Sequence, residues 1–374
     1  MILELSITLA KIVLLIGGVL GIVSYTVLAE RKISAMIQER VGPNRVGLPF
    51  IGLGKSLGLG QPIADTLKLM LKEQFVPAGV NKFYYWLAPA LAMMPALITM
   101  AMIPFGSVLD FTLPIADIAI RTKGVIADIN IALLLIFAIT SLSVYGITLA
   151  GWASNSKYPF LGGIRSSAQL ISYELTMGLS VVPIFLIVGE LNLGAIVEYQ
   201  MKNGWLVLPF FAEHLNWKNF VYFIPLSLSF ILFVVAAFAE TNRLPFDMPE
   251  AETELVGGYH TEYAAMKFSL FFLGEYMAMI VAASLVVTLF LGGWSLPGFG
   301  FSFIPTGEKG ILYGLLNIGT FLVKMILFLA FFIFIRWTLP RFRYDQLMKL
   351  GWKVFLPLAL ANVVVTAFLV AFIK

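Results

Sequence analysis

The sequence predicts an all-α, multi-pass membrane protein with about eight transmembrane helices and one amphipathic helix in its first loop. Hydrophobic residues make up 60% of the chain and charged residues 12%. The mean hydropathy is +0.92, whereas soluble domains are only about half apolar. Each of eight apolar stretches is long enough to cross about 30 Å of hydrocarbon as a helix. We expect residues 1–374 to form a single membrane domain with spanning segments 5–29, 83–105, 129–151, 168–189, 221–239, 268–291, 312–335 and 353–373.

The lysines and arginines predict how these helices are oriented. Seventeen of them lie in or next to the first, third, fifth and seventh loops, and six lie in the even-numbered loops and at the C-terminus. Because cytoplasmic loops are enriched in Lys and Arg, the odd-numbered loops are expected in the cytoplasm and both termini on the outer side. The same rule accounts for the net charge of +4, so we expect no nucleic-acid partner.

The first loop contains the predicted amphipathic helix, over residues 61–73. Its apolar residues recur at helical spacing, its charged residues fall on another side, and Pro62 suits the first turn of a helix. Such a helix either lies on the membrane surface or packs beneath a partner protein, and the sequence leaves both alternatives open. The apolar positions are Ile63, Leu67, Met70 and Leu71, and the charged positions are Asp65, Lys68 and Lys72.

The chain contains no cysteine and only two histidines, His214 and His260. Iron–sulfur clusters are normally held by cysteine thiolates, and both histidines lie in loops, where they do not suit a haem inside the membrane. The sequence has neither a GxGxxG turn nor a P-loop. We therefore expect this chain to bind no metal and no redox cofactor, so that any electron carrier lies in another chain or arrives as substrate.

Three ionisable residues stand out within predicted spanning segments, Glu174, Glu275 and Lys324, and together with Glu240 they suggest a proton path. With the orientation above, Glu174 and Glu275 lie roughly 10 Å from the cytoplasmic face, Glu240 lies at that face, and Lys324 falls deepest, near the middle of its helix. Charged groups inside a membrane are costly and usually functional. The alternative is that these groups only pair with polar neighbours and hold helices together. The candidate proton path is Glu240, Glu174, Glu275 and Lys324.

The fifth loop, residues 239–263, is unusually acidic for this chain. It carries six carboxylates and a single arginine, Arg243. A run of charges is often only a solvated surface, but Pro245 and Pro249 stiffen this one. If the segment is extended, its alternating glutamates cannot all face water in the same way. These features favour a constrained cavity beneath the membrane, beside the basic loops. The six carboxylates are Glu240, Asp247, Glu250, Glu252, Glu254 and Glu262.

Six blocks of this sequence closely resemble one membrane subunit of proton-pumping NADH:quinone oxidoreductase, respiratory complex I. That subunit is called H in bacteria and subunit 1 in mitochondria. The blocks follow the order of the family and cover every cytoplasmic loop and most of the chain. They are ERKISAMIQERVGPNRVG (30–47), QPIADTLKLMLKE (61–73), GWASNSKYPFLGGIRSSAQLISYEL (151–175), AETNRLPFDMPEAETELVGGYHTEY (239–263), MKFSLFFLGEY (266–276) and RWTLPRFRYDQLMKLGWK (336–353).

The resemblance implies a subunit that couples quinone reduction to proton translocation and is not active alone. In that family the subunit builds a long, narrow chamber that quinone enters from the lipid, and an iron–sulfur cluster in a neighbouring subunit reduces the quinone head. Fe–S clusters, FMN and NADH are therefore expected in partner subunits. The implied partners are hydrophilic iron–sulfur subunits on the cytoplasmic side, antiporter-like and small membrane subunits, lipid and quinone.

The resemblance also assigns site residues, position by position. The buried acidic path of the family, from the chamber towards the antiporter-like subunits, falls on Glu174, Glu240 and Glu275, which overlaps the path inferred from depth. Lys324 receives no role from the family. Apparent extra length relative to the family lies in the second and fourth loops, on the outer side. The charged positions around the quinone chamber and its funnel are Glu30, Arg31, Arg40, Asp65, Arg165, Arg243, Asp247, Glu250, Glu252 and Glu254.

Other functions stand as alternatives. A related membrane complex with a hydrogenase, F420H2 or ferredoxin module would use an equivalent subunit with another electron donor. A stand-alone ion transporter would use the same buried acids but usually shows internal repeats, and we identify none. A structural anchor would have no use for buried charges. The expected location is the bacterial inner membrane, or an organelle inner membrane if the source is not bacterial.

Overall fold

The computed structural model describes residues 2–47, 57–113, 118–207, 217–249, 252–296 and 311–373. Within these ranges, eight helices are long and apolar enough to cross a membrane. Each of the eight predicted apolar stretches corresponds to one of them. The structure therefore confirms the predicted α-helical, multi-pass membrane fold.

Eight spans are built from more than eight helical elements, because two spans are interrupted. A break at Ser141 divides one span into α4 and α5, and a π-helical segment, Leu350–Phe355, joins α12 to α13. A 3₁₀ turn, Gly258–His260, precedes α10. The α-helices are α1 (Ile2–Ile37), α2 (Gln61–Leu71), α3 (Lys82–Met100), α4 (Ala132–Thr140), α5 (Leu142–Ala153), α6 (Lys157–Val188), α7 (Leu193–Asn203), α8 (Trp217–Glu240), α9 (Glu252–Leu255), α10 (Ala265–Phe290), α11 (Ile311–Thr338), α12 (Tyr344–Lys349) and α13 (Leu356–Ile373).

Two spanning helices are longer than their apolar stretches. α1 continues to Ile37 and α6 begins at Lys157, well outside the predicted segments. Hydropathy marks the part of a helix that suits hydrocarbon, but helical hydrogen bonds continue through polar residues until a cap interrupts them. At the other end of α6, Gly189 adopts a left-handed φ of 83°. Its N–H bonds to the carbonyl of Phe185 at 2.8 Å, which ends the helix.

The predicted amphipathic helix is present as α2, and its apolar side is exposed. Pro62 stands in its first turn, and Ile63 and Leu71 are 53% and 85% exposed. The charged side is held by an ion pair, because Asp65 lies 2.7 Å from Arg31 near the end of α1. The apolar side is thus available to lipid or to a partner chain, in agreement with both alternatives.

The second loop contains a β-hairpin that the sequence did not predict. Short strands are hard to recognise beside membrane helices, because the generally apolar composition masks their alternation. Lys11 of α1 donates to the carbonyl of Lys123 at 2.9 Å, and Asn317 of α11 donates to the hydroxyl of Ser107 at 2.7 Å. The hairpin therefore connects α1 with α11 at one end of the bundle. Its antiparallel strands are β1 (Gly106–Leu113) and β2 (Ile118–Gly124).

α10 is the most enclosed spanning helix. In its most apolar window 72% of the residues are buried, compared with 17% in the span that contains α13. Two glycines let α3 pack closely between α5 and α10. A Cβ at Gly146 of α5 would lie 2.6 Å from the backbone nitrogen of Ala92, and one at Gly274 of α10 would lie 3.0 Å from the carbonyl oxygen of Ala92. The backbone of α3 is therefore in contact with the backbones of both α5 and α10.

We predict that Gly146→Ala destabilises the protein, because the added methyl group would meet backbone atoms of α3. Overpacking of this kind costs about 1–3 kcal/mol. The matched control is Gly178→Ala in α6, where an added Cβ would meet no described atom within 4 Å apart from its chain neighbours and its own helix backbone, so stability should stay equal or rise. Thermal denaturation in detergent, followed by size-exclusion chromatography, compares the two. Equal melting temperatures would contradict the close contact between α3 and α5.

Candidate functional site

A buried arginine joins three separate parts of the chain. Arg243 follows the end of α8 and is 3% exposed. Its Nη1 donates to both carboxylate oxygens of Glu30 in α1, at 3.0 and 3.1 Å. Its Nε lies 2.6 Å from Oε1 of Glu275 in α10. One guanidinium group therefore holds α1, α10 and the end of α8 together through two carboxylates.

Two further side chains complete this arginine cluster, which consists of Glu30, Arg243, Glu275, Tyr276 and Arg336. Tyr276 donates its hydroxyl to Glu30 at 2.6 Å, and its ring centre lies 4.4 Å from the guanidinium carbon of Arg243. Arg336 of α11 also donates to Glu30. Two guanidinium groups thus face two carboxylates. The cluster is formally neutral only while both glutamates are ionised.

The surroundings of Arg243 keep it charged. Burial by itself would lower the pKa of its guanidinium, but the carboxylates of Glu275 and Glu30 outweigh burial and raise that pKa above its ordinary value. Removing one partner of an enclosed ion pair leaves the other charge buried and uncompensated, which is strongly destabilising. A change of charge at Glu30 or Glu275 therefore changes the electrostatic environment of the other, because both pair with Arg243.

A tight turn after α8 positions Arg243. Asn242 takes a left-handed φ of 51°. The buried side chain of Gln169 in α6 donates to the carbonyl of Ala239 at 2.7 Å and to that of Phe246 at 2.8 Å. These two bonds hold the turn on both sides. Arg243 consequently lies in the interior, although the sequence places it in a loop.

A cavity lies next to the arginine cluster, with walls from α3, α4, α5, α6, α8 and α10. Glu240 and Glu275 both line it, so the carboxylate held by the arginine also faces this space. Glu174 of α6 is close enough to Glu240 for their charges to interact. The structure thus places Glu240 and Glu275 on one cavity, with Glu174 near Glu240 but outside the cavity lining. Its polar lining also includes Thr140, Ser143, Thr241, Asn242 and Tyr259.

Lys324 lies apart from these acids. Its ammonium group donates to the carbonyls of Leu291 at 2.8 Å, Gly293 at 3.0 Å, and Ser295, just beyond the end of α10. It also lies 4.2 Å from the ring centre of Trp205. At 1.5 Å per residue, the end of α10 that Lys324 contacts is about 24 Å along the helix from Glu275. The structure therefore separates Lys324 from the row predicted from depth, because depth along one helix does not determine which neighbour a side chain meets.

Two ion pairs connect the loops that are predicted to be cytoplasmic. Arg165 of α6 lies 2.7 Å from Glu254, and Arg341, which follows α11, lies 3.0 Å from Asp247. Three of these four side chains are about one-third exposed or more. Exposed pairs contribute little to stability, about 0–1 kcal/mol each. These two pairs therefore fix the positions of the loops but contribute little to the stability of the helix bundle.

Other predicted positions do not join these pairs. Arg40 donates to the side chain of Gln38 at 2.7 Å, in the turn after α1. Glu250 and the side chain of Glu252 lie outside the described residues. The acidic segment is also not extended where the structure describes it, since Glu252–Leu255 form one turn of helix. The reason is local, because Glu and Leu both favour helices.

Sequence reasoning missed three residues that shape this site. Tyr276 and Arg336 bond to Glu30, and Gln169 fixes the turn that carries Arg243. The available signals were weak: a tyrosine directly after a buried glutamate, an arginine in the last turn of α11 and a glutamine within α6. Each residue acts through a contact between elements that are distant in sequence. Only the tertiary structure brings those elements together.

The arrangement is suited to moving protons and to sensing charge. Carboxylates around a common cavity change each other's readiness to ionise, and a shared cation couples them further. In the part of the chain that the structure describes, no group of three or more His, Cys, Asp or Glu residues could hold a metal ion.

Comparisons with known proteins show which family this sequence resembles. The sequence matches the family model described as NADH dehydrogenase over residues 10–367. It is 48% identical over 361 residues to NADH-quinone oxidoreductase subunit 8 of Rhodothermus marinus, which covers 96% of this chain and 95% of that protein. It is 47% identical over 371 residues to the NADH-quinone oxidoreductase H 2 subunit of Koribacter versatilis, covering 98% of each chain. It is 47% identical over 367 residues to the H 1 subunit of Geobacter metallireducens, covering 98% and 97%.

We predict that Glu30→Gln destabilises the protein far more than Asp65→Asn. Both substitutions remove a carboxylate paired with an arginine, but Glu30 is enclosed between two arginines, whereas the pair of Asp65 with Arg31 is exposed. The expected losses are about 3–5 kcal/mol for the buried pair and about 1 kcal/mol or less for the exposed pair. Thermal denaturation and the yield of assembled protein measure both. Similar losses would show that the arginine cluster does not hold the helices together.

Proposed function

The chain belongs to the NADH dehydrogenase family, with an H subunit of NADH-quinone oxidoreductase among its relatives, and we propose that it forms a wall of the quinone chamber of such an enzyme. In this proposal it also passes changes of charge in the chamber to the buried acids Glu275, Glu240 and Glu174. The chain would thereby couple quinone reduction to proton translocation. The redox groups, FMN and Fe–S clusters, would lie in partner subunits.

One observation carries the proposal: Arg243 is shared between Glu30 and Glu275. The resemblance to the family assigns Glu30 and Arg243 to the chamber and Glu275 to the acidic path. The two sets are therefore in direct contact in this chain through a single guanidinium group. A change of charge at Glu30 therefore reaches Glu275 through Arg243 alone.

The coupling step follows from charge balance. Reduction of quinone to quinol takes up two electrons and two protons, so the demand for protons in the chamber changes the charge around Glu30. If Glu30 gains a proton, its hold on Arg243 weakens and the arginine is free to pair more closely with Glu275. If Glu30 loses that proton, the arginine is drawn back, and Glu275 takes up a proton more readily.

The cavity carries the change further. Glu275 and Glu240 line the same space, and the charge of Glu240 interacts with that of Glu174. Because close carboxylates disfavour each other's ionised forms, a proton gained by one makes it easier for the next to ionise. The proposed path therefore runs from Glu275 through Glu240 to Glu174. Lys324 of α11, which bonds to residues beyond the far end of α10, is not part of this path.

The loops and the exposed helix suit contacts with other chains. The pairs Arg165–Glu254 and Arg341–Asp247 lie on the loops that we place in the cytoplasm, where hydrophilic iron–sulfur subunits would bind. The exposed apolar side of α2 would border the route by which quinone enters from the lipid. We place the chain in the bacterial inner membrane with both termini on the outer side.

We predict that Glu240→Gln lowers quinone-linked proton pumping by about 100-fold or more, as for loss of a proton-transferring group. The measurement uses membranes of the native host and follows electron transfer to quinone together with the proton gradient, while a native gel checks assembly. The control is Glu190→Gln, which removes an exposed carboxylate just after α6. An assembled Glu240→Gln enzyme with both activities at wild-type level would contradict the proposal.

We also predict that Arg243→Lys lowers the number of protons moved per electron in the assembled enzyme. Lysine keeps the charge but offers a compact ammonium group in place of a planar fork, so it cannot hold both glutamates in the same way. The matched control is Arg343→Lys, since the pair of Arg343 with Asp345 is well exposed and should be insensitive. An unchanged ratio in assembled Arg243→Lys would show that bridging by the guanidinium is not required.

A further inference from the structure

The interruption between α4 and α5 places a hydroxyl beside Glu240. α4 ends at Thr140 and α5 begins at Leu142, so Thr140 is the last helical residue before the break at Ser141. Thr140 lines the same cavity as Glu240, and the two side chains are hydrogen-bonded. This contact joins the end of α4 to the end of α8. The interrupted span therefore supplies a direct neighbour to one acid of the proposed path.

Thr140 has a second hydrogen-bond partner within its own helix. Its Oγ1 donates to the carbonyl of Phe137 at 3.1 Å. The same carbonyl accepts the backbone N–H of Ser141 at 3.1 Å, so it keeps a bond when the hydroxyl turns away from it. Hydroxyls in helices commonly form such bonds to an earlier carbonyl and often bend the helix, in agreement with the break after Thr140.

The two partners suit the two protonation states of a carboxyl group. An ionised carboxylate only accepts hydrogen bonds, whereas a protonated carboxyl group also has an O–H to donate. A threonine hydroxyl has one proton and two lone pairs, so it is able to donate and to accept. Beside an ionised Glu240, the hydroxyl of Thr140 donates to the carboxylate. Beside a protonated Glu240, it accepts from the acid O–H and donates its own proton to the carbonyl of Phe137.

We propose that Thr140 is a positioning residue for proton transfer at Glu240, and that its hydroxyl reverses its hydrogen bond each time Glu240 gains or loses a proton. This inference rests on the role proposed above for Glu240. A partner able to serve only one protonation state would favour that state, because a buried polar group without a partner is costly. Thr140 serves both states and itself neither gains nor loses a proton, since the transferred proton comes from the cavity side.

The next residue in the chain provides a matched control. The hydroxyl of Ser141 also donates to a carbonyl three residues earlier, that of Ala138 at 2.9 Å, but this bond is exposed. Successive side chains on a helix point about 100° apart, and Ser141 is not among the described residues that line the cavity. Ser141→Ala thus removes a hydroxyl at the same break and leaves the surroundings of Glu240 intact.

Infrared difference spectroscopy of the intact complex from native membranes, recorded while the pH is stepped, tests the proposal. The C=O stretching band of protonated Glu240 is the band that Glu240→Gln removes. In Thr140→Val, which keeps the shape of the side chain, we expect this band to move to higher wavenumber, because the acid loses a hydrogen-bond partner. In Thr140→Ser and Ser141→Ala it should stay at its wild-type position. A residue that only packs would change the melting temperature but not the band.

Proton pumping by the same preparations gives the second readout. We expect Thr140→Val to lower it about tenfold or more, as for loss of one hydrogen bond to a charged group, and Thr140→Ser to restore it. An unmoved Glu240 band in Thr140→Val, or no Glu240 band at any pH, overturns the proposal. If the valine variant does not assemble on a native gel, Thr140→Ala provides the same comparison.

The two proposals fail in different ways. Wild-type pumping in assembled Glu240→Gln contradicts the proposed path itself. The infrared band then still decides separately whether the hydroxyl of Thr140 follows the protonation state of Glu240.

Discussion

The structure depends on one buried guanidinium group that two carboxylates share. Taking charges out of water costs several kcal/mol per ion, and only close contact with opposite charges offsets that cost. Arg243 meets this condition only when Glu30 of α1 and Glu275 of α10 both reach it. The requirement fixes where α1, α10 and the end of α8 lie relative to one another. Arg336 and Tyr276 extend the same constraint to α11 and to the next residue of α10.

α10 connects this cluster to the cavity. Its glutamate, Glu275, pairs with Arg243 and also lines the cavity that contains Glu240. The helix is enclosed by its neighbours, and Gly274 brings the backbone of α3 against it at the same level. A change of charge at Glu275 therefore acts where α10 and α3 are tightly packed. Tightly packed helices transmit small displacements to their neighbours, because little free space is left between them.

The two ends of the bundle are built differently. Beyond the end of α10, Lys324 and the buried Gln200 bond to backbone groups of residues 288–295, and the hairpin connects α1 with α11. The other end has exposed ion pairs, such as that of Arg165 with Glu254, and the exposed apolar side of α2. Bonds to backbone hold one end firmly, whereas exposed pairs are weak. The second end thus presents exposed charged pairs and an exposed apolar helix face.

The sequence by itself determined the fold class, the eight spans and the amphipathic α2. These features depend on apolar length and helical spacing, which are properties of short segments. It also made Glu174 and Glu275 candidates for a proton path, because a charge within an apolar segment stands out without knowledge of its neighbours, and Glu240 a candidate at the end of such a segment. Only the tertiary structure decided that Arg243 bridges two glutamates and that Lys324 lies apart from them. Those outcomes depend on how helices are arranged side by side, and hydropathy does not specify lateral contacts between residues far apart in the chain.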